Sequence, residues 1–205
     1  MNEEPLCVAC LFELPLTDFH THPLDNDMAK RLWGRFPVER ATALFHYHSH
    51  SLSARILYSM KYGNSPLLCR QMGKLAAGEA GEAFFSGIDA LVYVPLTRGR
   101  QRERGYNQCQ LLAEGISSKT SIPVLYDALV RNHFTGSQTR RSLEERLAAT
   151  QDAFTLGNAE GIEGRHLLLV DDVMTTGATL CACADALLQA KPSAISVMVL
   201  AATQL

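Results

Sequence analysis

A chain of 205 residues, 47% hydrophobic and 20% charged, is long enough to bury a substantial core and close to globular averages. Its formal charge of −2 excludes a protein that attracts nucleic acid along its whole length, and leaves room only for a local basic patch. No apolar run approaches the roughly 20 residues that cross a bilayer, which excludes an inserted helix.

The N-terminus, MNEEPLCVAC, carries two acids before any apolar stretch. That is the wrong charge order for a secretory signal, so the expected location is the cytoplasm. Residues 1 to about 25 are rich in turn formers, with Pro5, Pro15, Pro23 and the pair Cys7 and Cys10, and show neither helical nor strand periodicity. They read as a small cysteine-containing appendage over 1–28, ahead of one main domain over 29–205. A short helix is expected near 29–34 and a strand over about 40–48. Leu52, Ile56, Leu57 and Met60 then form a helical stripe ending at Tyr62-Gly63, and a second helix runs from an N-cap at Asn64 or Ser65 to about Phe85.

From Asp89 the chain alternates as a parallel sheet requires. ALVYVP reads as a buried strand, 97–104 as a basic loop, 107–118 as a helix and 122–125 as a short strand. The stretch SQTRRSLEERLAAT reads either as a mobile flap or as a solvated helix. HLLLVDD (166–172) is an apolar strand running into acids, TTGAT a turn, 178–190 a helix, and AISVMVLAAT a closing strand. The expected fold class is therefore α/β, a doubly wound parallel sheet, with ligands at the carboxyl ends of its strands.

Asp171 and Asp172 stand directly before a turn made of Val173, Met174, Thr175, Thr176, Gly177, Ala178 and Thr179. A strand that turns into a helix this way aims backbone N–H groups outward, and the helix N-terminus carries about half a positive charge. Gly177 permits close backbone approach and the threonines add hydroxyl donors. A phosphate fits the turn, and the two carboxylates suit the vicinal hydroxyls of a ribose. A Walker A loop would need a lysine that is missing here, and no Gly-x-Gly-x-x-Gly follows a strand.

The run LLLVDDVMTTGAT resembles the signature by which type I phosphoribosyltransferases bind 5-phosphoribosyl-1-pyrophosphate (PRPP). More narrowly, VPLTRGRQRERGYNQCQLLAEGI (94–116), SQTRRSLEERLAATQDAF (137–154), LYSMKYGN (57–64) and the amino-terminal Cys-x-x-Cys are similar to the ComF family, nearly end to end. The resemblance implies a type I phosphoribosyltransferase-like domain behind a small zinc module, and an association with DNA uptake in competence. It implies that Thr97, Arg98 and Gly99 bind pyrophosphate. Arg102, Arg104 and Asn107 read as helpers, since arginine's planar fork can hold two phosphate oxygens. Arg140, with Gln138 and Arg146, also matches the family pattern. Lys61 stands at a helix end, where a capping role and a functional one both remain open.

Cys7 and Cys10 have the spacing of one zinc knuckle, but a structural zinc needs four ligands. ComF proteins usually carry another Cys-x-x-Cys upstream, for which this sequence has no room. His20 and His22 are the nearest residues to complete the site. His46, His48 and His50 recur every second residue and read as one surface face of a strand. Cys69, Cys109, Cys181 and Cys183 fall in helical segments and read as small core residues.

The reaction expected of such a domain displaces pyrophosphate from C1 of PRPP by a nitrogen nucleophile, with magnesium bridging diphosphate and ribose oxygens. Asp171 and Asp172 are then assigned to the ribose hydroxyls, and 173–179 to the 5-phosphate. The alternative is a module that senses PRPP, or handles single-stranded DNA through the arginine loop and the cysteine segment, without catalysing transfer.

Overall fold

The structure is a computed structural model that describes residues 6–132 and 153–204. Four parallel strands form the main sheet: β1 (Val38–Tyr47), β2 (Ala90–Tyr93), β5 (His166–Met174) and β6 (Ala194–Thr203), in the order β1-β6-β5-β2. A separate antiparallel pair, β3 (Leu129–Arg131) and β4 (Phe154–Leu156), flanks the sheet. The helices are α1 (Val8–Glu13), α2 (Asp27–Leu32), α3 (Leu52–Tyr62), α4 (Pro66–Phe85), α5 (Arg98–Arg104), α6 (Gln108–Thr120) and α7 (Ala178–Leu188). No helix among the described residues is long and apolar enough to cross a membrane.

β5 is central, and Leu167, Leu168, Leu169 and Val170 are each at most 1% exposed. Successive side chains of a strand point to opposite faces, so both faces of β5 are covered. Burial of each such side chain contributes about 1.5–3 kcal/mol, which is why this strand can be an unbroken apolar run. α4 and α6 pack closely because Gly73 and Gly115 carry no side chain. A Cβ on Gly73 would run into the carbonyl oxygen of Leu112, and one on Gly115 into that of Arg70.

Several elements differ from the reading of the sequence. The stretch 97–104 is a helix rather than a loop. Thr97 caps α5 by accepting from the amide of Arg100 at 3.4 Å, and Gly105 closes it in the left-handed region at φ +80°. An exposed helix of mostly polar residues has no apolar stripe by which periodicity reveals it. The strand expected at 122–125 is a single bridge, Leu91 to Val124. β5 continues to Met174, so the acid pair lies inside the strand, where Asp171 still pairs with Val199 of β6. The stretch 137–150, with Gln138, Arg140 and Arg146, lies outside the described residues.

The amino-terminal segment contains α1 and a 3-10 turn at Phe19–Thr21, and is stitched to the sheet. Backbone bonds join Thr17 N to Leu44 O (3.2 Å), His46 N to Pro15 O (2.8 Å) and Ala41 N to Pro23 O (2.9 Å), covering the outer edge of β1. Asn26 is buried and caps α2 by accepting from Ala29 N at 2.9 Å, while its amide donates to the carbonyls of Phe19, His22 and Ala41. A division between residues 28 and 29 therefore falls within α2. His46 is half-buried with its ring edge-on to Phe19 at 5.5 Å, and His50 has left the strand at φ +61°, so the three histidines do not share one surface face. Cys69, Cys109, Cys181 and Cys183 are buried in helices, as their setting in the sequence implies.

Candidate functional site

Parallel pairing of β2 with β5 sets the carboxyl ends of these strands side by side. Tyr93 is opposite Val170, and Val94 N donates to Val170 O at 3.0 Å. The Thr97–Arg104 segment and the Thr175–Thr179 turn thus leave the sheet from adjacent strands, although about 75 positions separate them in sequence. Asn107 ties the second approach to the first. Its amide donates to Val94 O at 3.1 Å, and its side-chain oxygen accepts from Cys109 N at 2.9 Å, capping α6.

The N-terminal turn of α6 is applied to the acid pair. Gln108 donates to Asp172 Oδ2 at 2.8 Å, and the Cys109 thiol donates to Asp171 Oδ1 at 3.2 Å. The same Asp171 oxygen accepts from the Asp172 backbone amide at 2.8 Å. Lys61, from the last turn of α3, places Nζ 3.1 Å from Asp172 Oδ1. Its role is therefore not a simple helix cap; it is the counter-ion of a carboxylate 111 positions away, with side chains 24% and 5% exposed respectively. Arg104 extends the network. It donates to Gln108 Oε1 at 2.6 Å and lies 5.4 Å from the centre of the Tyr62 ring. Arg98, Arg100 and Arg102 are exposed and form no ion pair among the described residues.

Both acids are buried, at 7% exposure for Asp171 and 4% for Asp172. Burial first, and the neighbouring Asp172 charge second, push the Asp171 carboxyl up to about 7. Burial likewise pushes the Cys109 thiol well above its ordinary value, so it remains a neutral donor. The folded protein holds a proton on Asp171 over a pH window in which the unfolded chain has released it. Stability therefore falls as pH rises from about 4 to about 7. We expect urea unfolding free energies to drop by a few kcal/mol between pH 5 and pH 8, and this slope to flatten in Asp171→Asn. An equal slope in the variant would show that Asp171 is not the group responsible.

The turn itself exposes Thr175 and Thr176, while Gly177 is buried at φ +79°. A Cβ at 177 would come within 3.0 Å of Leu32 Cδ2 and 3.4 Å of Arg35 Nη1. The first amides of α7 have no intrahelical acceptor. Ala178 N has a weak one in Thr176 Oγ1 at 3.4 Å. The carbonyls behind the turn are held by arginines that the sequence did not single out. Arg31 Nη1 donates to Thr175 O at 3.3 Å, and Arg35 Nη1 to Thr176 O at 2.6 Å.

The structure therefore brings together Asp171, Asp172, Lys61 and Asn107, and sets the 97–104 and 173–179 segments on neighbouring strands. Gln108, Cys109, Arg31 and Arg35 were missed, because only their partners across the fold distinguish them. Among the described residues, Cys109, Asp171 and Asp172 are the one group of three metal-binding side-chain types whose donor atoms lie within 4.8 Å of one another. The carboxylates suit a hard cation and the neutral thiol does not. Cys7 and Cys10 stand 3.5 Å apart at the sulfurs, with no third ligand-type side chain grouped with them among the described residues. His20 and His22 do not complete the pair, and two thiols alone do not fit a structural zinc.

Residues 107–204 match the phosphoribosyl transferase domain family. The chain is 35% identical to the DNA utilization protein YhgH of Escherichia coli K12 over 115 residues, covering 56% of this chain and 50% of that protein. It is 39% identical over 93 residues to competence protein F of Haemophilus influenzae, covering 45% and 41%. It is 36% identical over 99 residues to competence protein ComFC of Bacillus subtilis, covering 48% and 38%. The matched stretch spans half or less of the length of each of these curated relatives.

Proposed function

For this chain, a member of the ComF family with an α/β fold of the type I phosphoribosyltransferase kind, we propose that the β5–α7 turn binds the 5-phosphate of PRPP and that the domain transfers its phosphoribosyl group to a nitrogen nucleophile. The observation that supports this most is the juxtaposition of the turn with the acid pair. Exposed Thr175 and Thr176 and left-handed Gly177 follow Asp172 by three to five residues, and the carboxyl end of β2 stands alongside.

In this reading the amides and hydroxyls of 175–179 take the phosphate. An ionised carboxylate offers about four lone-pair sites, so Asp172 retains acceptor capacity for ribose hydroxyls beyond the bonds from Lys61 and Gln108. Asp171, enclosed and already accepting from Cys109 and the Asp172 amide, holds the second carboxylate in place. Thr97, Arg98 and Gly99 receive the diphosphate, with Arg102 near them in α5. Arg104 acts instead through Gln108 on Asp172. In the transfer the bond from C1 to the diphosphate oxygen breaks and a bond from C1 to nitrogen forms. The electron pair leaves with diphosphate, and the nucleophile gives up its proton. Magnesium, when bound, supplies charge neutralisation at the diphosphate, and Asp171 and Asp172 are the carboxylates that would hold its water shell.

A second reading, in which the protein handles single-stranded DNA, is favoured by one surface feature. Tyr58 and Tyr62, both 66% exposed, lie one turn apart on α3 with ring centres 5.0 Å apart, and Arg104 stands over Tyr62. Exposed aromatic rings beside arginines suit stacked bases and a phosphate backbone.

Calorimetric titration with PRPP and magnesium tests the first reading. Saturable binding is expected, weakened about tenfold or more by Asp172→Asn, the scale of a lost hydrogen bond to a charged group. Release of pyrophosphate with one of a panel of nitrogenous bases would establish transfer. Salt-dependent binding to an oligonucleotide with no pyrophosphate release would favour the second reading. Absence of PRPP binding to the unaltered protein would refute the first.

A further inference from the structure

We propose that Arg31 and Arg35 are positioning residues of the phosphate cradle, orienting from behind the two peptide groups whose amides face the anion; this rests on the reading of the β5–α7 turn as a phosphate site. Arg31 belongs to α2, and Arg35 follows that helix after Gly34. Both come from the amino-terminal quarter of the chain, some 140 positions from the turn they grip.

The geometry of the peptide unit makes the effect directional. No peptide bond among the described residues is cis, and in a trans peptide the C=O and N–H point in opposite directions. The carbonyl of Thr175 shares its plane with the amide of Thr176, and the carbonyl of Thr176 shares its plane with the amide of Gly177. Arg31 holds the first carbonyl at 3.3 Å and Arg35 the second at 2.6 Å. Each guanidinium that draws a carbonyl toward α2 therefore turns the coupled N–H away from α2. A cation on the carbonyl also polarises the peptide and makes its N–H a stronger donor. Two positive charges behind the turn add to the field that the helix N-terminus presents to an anion.

Three further observations point to a positioning role. Arg31 Nη2 donates to the carbonyl of Thr203, so the same side chain anchors the turn to the end of β6. Arg31 Nε is buried with no partner among the described residues, so the carbonyl contacts are what hold this side chain in place. Leu32, fully buried between the two arginines in sequence, lies directly under Gly177. The amino-terminal segment thus forms the back wall of the cradle.

The test uses the full chain, with Arg35→Ala, Arg35→Gln and Arg31→Ala. Amide shifts of Thr176 and Gly177 are followed by NMR during titration with inorganic phosphate, and PRPP affinity with magnesium is measured in parallel. Arg35 is exposed, so Arg35→Ala should leave the unfolding midpoint nearly unchanged while weakening PRPP about tenfold and shrinking the phosphate-induced shifts at both amides. Arg35→Gln, which keeps a donor without the charge, should recover part of the loss. Arg31→Ala should weaken binding as well, with some loss of stability through Thr203. If the unaltered protein binds PRPP and the variants bind it equally well, the clamp is overturned and the phosphate reading stands. If the unaltered protein neither binds PRPP nor shifts with phosphate, both are overturned.

Discussion

Lys61→Met should lower the unfolding free energy by about 3–5 kcal/mol at neutral pH, the scale observed when one partner of a buried ion pair is removed. The Asp172 carboxylate is 5% exposed, and its Oδ1 faces Nζ of Lys61 at 3.1 Å. Without the ammonium, the buried Asp172 carboxylate would be left with only the Gln108 amide to compensate it. Methionine preserves most of the stem's packing, so the loss isolates the charge. The double variant Lys61→Met/Asp172→Asn should regain most of the stability, because the buried carboxylate that lost its counter-ion is then removed as well. Urea unfolding at pH 7 measures both. A loss below about 1 kcal/mol in the single variant would mean that the pair is effectively solvent-screened. A double variant no better than the single would mean that Lys61 acts through packing alone. The same comparison carries a functional readout. The single variant keeps both carboxylates, so PRPP affinity that follows Lys61 rather than stability would mark it as part of the ligand site.

Gly177→Val should abolish PRPP binding, by at least about a hundredfold, and cost about 2–3 kcal/mol of stability. The backbone sits at φ +79°, which a β-branched residue enters only as an outlier. The added Cβ would also press on Leu32 Cδ2 at 3.0 Å, and Leu32 is fully buried. Relief requires the peptide groups on either side to rotate. One of them, between Thr176 and Gly177, has its carbonyl held by Arg35, and together they carry the Gly177 and Ala178 amides of the proposed cradle. Two donors to an anion then lose alignment together, each worth about 1.5–3 kcal/mol for a charged partner. Calorimetry with PRPP and magnesium and a urea curve on the same sample separate the effects. Wild-type affinity in a destabilised variant would show that the turn does not grip the ligand.

The central strand and turn were legible because their signals are local. Four apolar residues followed by two acids and then TTGAT specify a strand covered on both faces, a turn and a helix start within about 20 residues. The stripe from Leu52 to Met60 and the N-cap at Asn64 or Ser65 likewise announced α3 and α4, the latter starting from Ser65. Where local signals are absent the reading lost detail. α5 has no apolar stripe, and β3 and β4 are three residues each, too short for a period to register. The amino-terminal segment looked detachable because the three backbone bonds that join it to β1 leave no local pattern in the sequence.

What the sequence determined alone is the central strand and the strand-to-helix turn that follows it, since both depend on neighbours within a few residues. Only the tertiary structure decided which side chains serve that turn. Lys61, Gln108 and Cys109 acquire their roles from α3 and α6 meeting β5, and Arg31 and Arg35 from α2 lying behind Gly177. A lysine at a helix end or an arginine on a short helix carries no mark of its partner. Its function follows from a distance across the fold, and that distance is fixed by how the buried faces pack.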